Sequence, residues 1–247
     1  GSRIGQTGMA DGDRCDCSHR GGSSLTVSII GHCPETGMVG GAITSSSICV
    51  ASRCLFTRSG VGAVLTQNVT DPSLGKKMLD LLESGMEPEA VLTSLKNSES
   101  HLEWRQLAVL DCRGRSACFS GDKALGINHV VPETHCAAAG NLLAHENVIE
   151  VMLERFMALE GHLAERLLGA LEAGLAAGGE KGPVRSAGIQ VSIETDWPVI
   201  DLRVDWSDEP IQELRALWAR YLPEMDSYLL RSVNPDAAPS YGVPGDP

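Results

Sequence analysis

Thr26 stands at the head of an apolar run, Leu25-Thr26-Val27-Ser28-Ile29-Ile30, behind a polar, Gly-rich stretch over residues 1–25. A threonine hydroxyl attacks a carbonyl carbon once a base takes its proton. If the chain is cut before Thr26, the α-amine of Thr26 is that base. Backbone N–H groups at a neighbouring strand end would then hold the oxyanion. The bond opened would be of amide type. The plain alternative is that Thr26 is a strand residue without chemistry.

Other side chains suit supporting roles, each with a structural alternative. Ser45, Ser46 and Ser47 close the second predicted strand. Their hydroxyls suit proton transfer or substrate binding, or form a polar turn. Arg53 and Arg58 flank the next strand and offer a fork for a substrate carboxylate, or lie solvated on the surface. Gln67 and Asn68 end a strand with groups that could bind an amide, or cap the following helix. Asn141 follows Gly140, so an amide donor and a bare N–H could face an oxyanion together; the alternative is a turn. Lys76 and Lys77 open a helix and read best as a solvated face.

Two groups of soft ligands occur, Cys15-Asp16-Cys17-Ser18-His19 and His129 with His135 and Cys136. Neither has the paired C-x-x-C spacing of a structural zinc site, so no metal is expected. Cys33, Cys49 or Cys136 with His32 or His129 could form a thiol–imidazole pair, but no spacing selects one. P-loop, dinucleotide and nucleophile-elbow motifs are lacking in the right context, and no cofactor is expected.

Composition narrows the setting. The chain has 247 residues, 43% hydrophobic but 4% aromatic, so its core must be aliphatic. The net charge of −12 gives no basic footprint for nucleic acid and disfavours anionic membranes. The eight cysteines without a secretory leader read as free thiols in a reducing cytoplasm.

The elements that must position these residues are readable from pattern. Residues 25–30 and 38–44 form a predicted hairpin across the Cys33–Gly37 turn. A third strand is expected over 60–67. Helices follow from Asp71 to Gly85 and from Pro88. Strands return at 106–111, 115–120 and 134–139. Apolar residues recur every three or four positions over 147–177, broken at Gly161. Strands 187–194 and 199–204 pair. This order predicts an α+β fold, a four-layer α/β/β/α sandwich. Expected regions are a disordered leader, tag or propeptide at 1–25, a main domain at 26–205, and a helical appendage and tail at 206–247. The amphipathic stretch of Ile211, Leu214, Leu217, Trp218 and Tyr221 points to a homodimer.

Several stretches carry a resemblance. They are Thr26-Val-Ser-Ile-Ile, Cys33-Pro-Glu-Thr-Gly-Met-Val-Gly-Gly-Ala-Ile, Arg58-Ser-Gly-Val-Gly-Ala-Val-Leu-Thr-Gln67, Ala137-Ala-Ala-Gly-Asn-Leu-Leu-Ala144, Ala176-Ala-Gly-Gly-Glu180 and Ser186-Ala187. From about residue 26 to 205 the chain resembles domain-of-unknown-function family 1028. Pro183 and Arg185 depart from that pattern. The resemblance implies an N-terminal-nucleophile hydrolase-like fold, with Ser45, Ser46 and Ser47 beside the nucleophile. The expectation is an amidohydrolase with Thr26, Asn141 and Ser46 as its catalytic groups, cleaving an amide, ureido or lactam bond of a small polar metabolite. The rival expectation is a small-molecule-binding or assembly protein on the same fold.

Overall fold

The computed structural model describes residues 26–179 and 182–243; the expected leader lies outside them. Among the described residues, ten strands make two antiparallel sheets. β1 (Thr26–His32), β2 (Val39–Ser45), β7 (His129–Glu133), β8 (Cys136–Asn141), β9 (Ser186–Ser192) and β10 (Ile200–Val204) form the larger, ordered β10-β9-β2-β1-β8-β7. β3 (Leu55–Arg58), β4 (Gly62–Asn68), β5 (Arg105–Asp111) and β6 (Ser116–Ser120) form the smaller in sequence order.

Alternation sorts β1 onto two faces. Val27 and Ile29 pack outward against helices α4 (Asn147–Ala158) and α5 (Leu163–Ala176), with Phe156, Leu167 and Leu171. Ile30 faces inward, where it meets Leu55, Leu65, Ala108 and Leu110 of the other sheet. The outer face of the smaller sheet is covered by α2 (Ser73–Glu83) and α3 (Pro88–Ser98) through Val64, Met78, Val91 and Leu107. The layers are thus α/β/β/α, as expected. Small residues let the sheets meet: a Cβ on Gly41 would lie 2.6 Å from Leu55 Cδ1.

The strand expected over 60–67 is one half of the β3–β4 hairpin. Before it, the short helix α1 (Val50–Cys54) buries Val50, Ala51 and Cys54 between the sheets; five residues give too little periodicity to read. The strand expected over 134–139 is likewise half of the β7–β8 hairpin. Gly161 separates α4 from α5 with φ +93°.

The C-terminal appendage consists of α6 (Pro210–Tyr221) and α7 (Met225–Val233). α6 is rooted in the core: Leu214 and Trp218 are buried in the cluster between the larger sheet and α5. Trp218 Nε1 donates to Glu165 at 2.6 Å, and Arg215 bridges Glu165 and Glu172. Of the face that pointed to a homodimer, Leu214 and Trp218 are thus packed within the chain, while Leu217 stays 38% exposed. No described helix is long and apolar enough to cross a membrane.

Candidate active site

Thr26 begins β1 and pairs with Ser45 of β2 on one side and Asn141 of β8 on the other. Its parity matches Ser28 and Ile30, so it heads the row that faces the smaller sheet. Thr26 Oγ1 lies 3.3 Å from Ser45 Oγ. With the chain intact, Thr26 is 3% exposed and its nitrogen belongs to a peptide bond.

Below Thr26, a chain of amides crosses between the sheets, and its directions can be deduced. The Gly140 carbonyl can only accept, so the group 2.9 Å from it must be the Gln106 nitrogen, Nε2. Gln106 Oε1 then accepts from Gln67 Nε2 at 2.6 Å and from Asn141 Nδ2 at 3.3 Å. Gln67 Oε1 in turn accepts the Ser28 hydroxyl at 2.6 Å. One atom is left over. Asn141 Oδ1 is buried and has no partner. Asn141 therefore presents an acceptor beside Thr26, whereas a donor was expected there. Gln106 and Ser28 are both fully buried and were not singled out from sequence. The signal was present: Gln106 is in phase with inward Ala108 and Leu110, and a polar residue on that parity needs a partner.

The turn after β2 is pinned. Arg185 N donates to Ser45 O at 2.7 Å, Ser186 Oγ to Ser47 O at 2.6 Å, and Val50 N to Ser186 Oγ at 3.1 Å. Within it, Ser47 N donates to Ser45 Oγ at 3.1 Å, and the two hydroxyls lie 3.0 Å apart. Arg53, from α1, donates to Ser47 Oγ at 2.9 Å and Ile48 O at 2.8 Å. Ser46 sits half-buried in the same turn.

Residues 26–214 match a family described as "Family of unknown function (DUF1028)". The chain belongs to this family. A crystal structure of a DUF1028 protein from Silicibacter pomeroyi is similar at 32% identity and a TM-score of 0.74, covering 80% of this chain and 89% of that one. Looser likenesses are to HslV from Trypanosoma brucei (10% identity, TM-score 0.42, 67% and 98% coverage) and to Anbu from Yersinia bercovieri (11%, 0.36, 82% and 96%). These two place no residue. No curated protein matches the chain.

The other candidates of this DUF1028 member lie outside the Thr26 cluster or are engaged. Arg58 is at the opposite end of the smaller sheet, paired with Asp80 at 2.9 Å and Glu83 at 2.7 Å. Asn68, at φ +72°, is used structurally: it donates to Trp104 O at 2.6 Å and accepts from Leu125 N at 3.1 Å. Lys76 and Lys77 pair with Asp80 and Glu99. His129 is tied to Glu150 at 2.8 Å, while His135 meets His32 with its ring tilted by 30°, so His129, His135 and Cys136 do not form one cluster. Among the described residues no group of three or more His, Cys, Asp or Glu is arranged to hold a metal ion. Burial pushes the Cys136 thiol up to about 12, which keeps it protonated and poorly nucleophilic.

Proposed function

We propose that this family member is an N-terminal-nucleophile amidohydrolase, cleaving an amide, ureido or lactam bond of a small polar molecule through Thr26. The observation that carries the reading is the company Thr26 keeps. Its hydroxyl heads the inward row, bonded to Ser45 and beside a buried acceptor, Asn141 Oδ1, that the amide chain leaves unused.

Cleavage before Thr26 comes first, because a peptide nitrogen is no base. The freed α-amine takes the hydroxyl proton, and Oγ1 attacks the substrate carbonyl. Backbone N–H groups and Ser46 hold the oxyanion. The amine returns its proton to the leaving nitrogen as the C–N bond breaks. Water then hydrolyses the ester, restoring Thr26. Asn141 Oδ1 steers the α-amine or a substrate N–H. Gln67 forms the wall of the site, since both ends of its amide are taken. Ser45 and Ser47 border the substrate space. The six described cysteines are free thiols, in keeping with a cytoplasmic setting.

A second reading, a binding protein with an inert Thr26, is favoured by the 3% exposure of Thr26 in the intact chain. Intact-mass spectrometry of the expressed chain separates the two. The hydrolase reading expects a mature chain starting at Thr26. It also expects turnover in a screen of N-acyl amino acids, ureido compounds and cyclic amides. Thr26→Ala should lower that turnover by at least about a thousand-fold. An unprocessed chain, or full turnover by the alanine variant, favours the binder.

A further inference from the structure

We infer that β10 is a pairing edge. Two copies of this chain join β10 to β10, antiparallel about a two-fold axis at Leu202, so that their larger sheets run on as one. The pairing is independent of any chemistry at Thr26.

The two edges of the larger sheet differ in protection. An edge strand presents a row of unpaired N–H and C=O groups to another chain unless something blunts it. At one edge, β7 contains Pro132, which has no N–H to offer, and Ser116 Oγ of β6 donates to Glu133 O at 2.8 Å. β10 is the opposite edge. Its residues, Ile200-Asp201-Leu202-Arg203-Val204, include no Pro, Gly or Lys. Among the described residues only β9 pairs with it. β3, the near edge of the smaller sheet, meets β9, where Thr57 Oγ1 donates to Gln190 Oε1 at 3.0 Å. Asp201 and Arg203 lie past it, exposed on the same face as Gln190.

Charge sets the register. A two-fold axis that keeps the faces of the sheet passes through a residue, because a slip by one flips every side chain. Through Asp201 it would oppose the two Asp201 carboxylates. Through Arg203 it would oppose the two guanidiniums, and each Asp201 to the partner's Asp205. An axis at either end, Ile200 or Val204, leaves all but one residue of each strand facing a bend. Through Leu202 it sets each Asp201 against the partner's Arg203, and opposite charges across a rung attract. Within one chain Arg203 Nε lies 3.3 Å from Asp201 Oδ1, yet the two side chains stay 43% and 35% exposed, with room for a second partner. The same register covers bare aromatics. Trp197 precedes β10 and is 45% exposed; Trp206 follows it and is 61% exposed. Continued outward, the rungs bring Trp206 opposite the partner's Pro198, beside its Trp197. A hollow of about 500 Å³ bordered by Val204, Trp206, Leu217 and Arg220 opens at that end of β10 and receives the partner's segment. The patch is thus complementary to itself, as a two-fold contact requires.

Sedimentation equilibrium of the full chain, from nanomolar to high micromolar concentration, tests the pairing. It should show a dimer of twice the 26.2 kDa chain mass. Tryptophan emission should move to the blue as the dimer forms, and Trp206→Ser should weaken association. Arg203→Glu makes both charged rungs like-charged and should raise the dimer dissociation constant by at least about ten-fold; Asp201→Lys should do the same. Mixed together, these two variants should regain a one-to-one dimer, because both rungs then hold opposite charges again. All three positions are exposed, so the variants keep the fold, which their thermal melts check. A monomer across the whole range overturns the pairing. So does an assembly that neither charge variant weakens, since it then uses another surface. Failure of the two charge variants to associate when mixed overturns the register, and with it the pairing.

Discussion

The two ends of the β-sandwich are polar in different ways. At the Thr26 end, Ser28, Gln67, Gln106 and Asn141 are all neutral and fully buried. Each orientation there is dictated by the next, back to the fixed Gly140 carbonyl. At the opposite end, β1 finishes in His32, whose Nδ1 lies 3.0 Å from His135 Nδ1. Beside them Asp111 accepts from Arg113 N at 3.0 Å, Arg115 N at 2.9 Å and Arg115 Nε at 2.7 Å. The neutral end holds its shape by hydrogen-bond complementarity, indifferent to pH. The ionic end holds it by charge and by the close approach of two imidazoles. A reaction site gains from the first arrangement, since its dipoles need no reorganisation as charge develops.

The comparison is broken most forcefully at Gln106. Gln106→Leu keeps the volume but strips partners from Gly140 O, Gln67 Nε2 and Asn141 Nδ2. Each buried orphan costs about 1–3 kcal/mol, so the three together should lower the unfolding free energy by at least about 3 kcal/mol. Chemical denaturation at several pH values should show that loss to be constant with pH. A loss below about 1 kcal/mol would mean that the amide chain is not what orders this end.

A smaller effect is expected at the ionic end from Gly114→Ala. Gly114 adopts φ +80°, and an added Cβ would lie 2.0 Å from His135 Nδ1. The left-handed conformation alone costs about 1–2 kcal/mol. The clash is with a side chain that can swing away, so the imidazole pair should separate. Thermal melts measure the stability. Imidazole resonances of His32 and His135 report whether the pair has opened, and unchanged resonances would contradict it.

The layers of this fold were legible because they rest on periodicity. The step from period two to period 3.6 marks strands and helices, and the order of elements leaves few packings. Thr26, Ser45 and Ser47 were legible by position, since all three sit where strands begin or end. Gln106 was overlooked because one polar residue on an apolar strand looks ordinary until the facing strand is known; its partners lie 35 and 39 residues away in sequence. The orientation of the Asn141 amide was not legible for a related reason. Which end of an amide faces outward depends on its neighbours, and no local sequence contains them. Arg58 shows the converse: a motif residue can belong to an ion pair at the far edge.

The mildest change sharpens the contrast at the ionic end and concerns pH. Burial, and next the proximity of His135, hold the His32 imidazole below its usual 6.5. The folded chain therefore binds fewer protons than the unfolded chain just below that pH, and its stability must fall on acidification. The contribution is complete above pH 6.5 and is lost as the pH drops toward the lowered folded value. Two protonated imidazoles would also set N–H against N–H across 3.0 Å. His135→Asn removes the neighbouring ring, and asparagine tolerates the +67° φ of this position. Burial of His32 remains, so the acid loss should shrink without vanishing. Unfolding free energies between about pH 7 and pH 5 should show a shallower slope for His135→Asn than for the parent chain, in the window that the lowered His32 pKa opens. Equal slopes would mean that burial alone sets the titration of His32, and that the imidazole pair is a packing contact rather than a proton-sharing one.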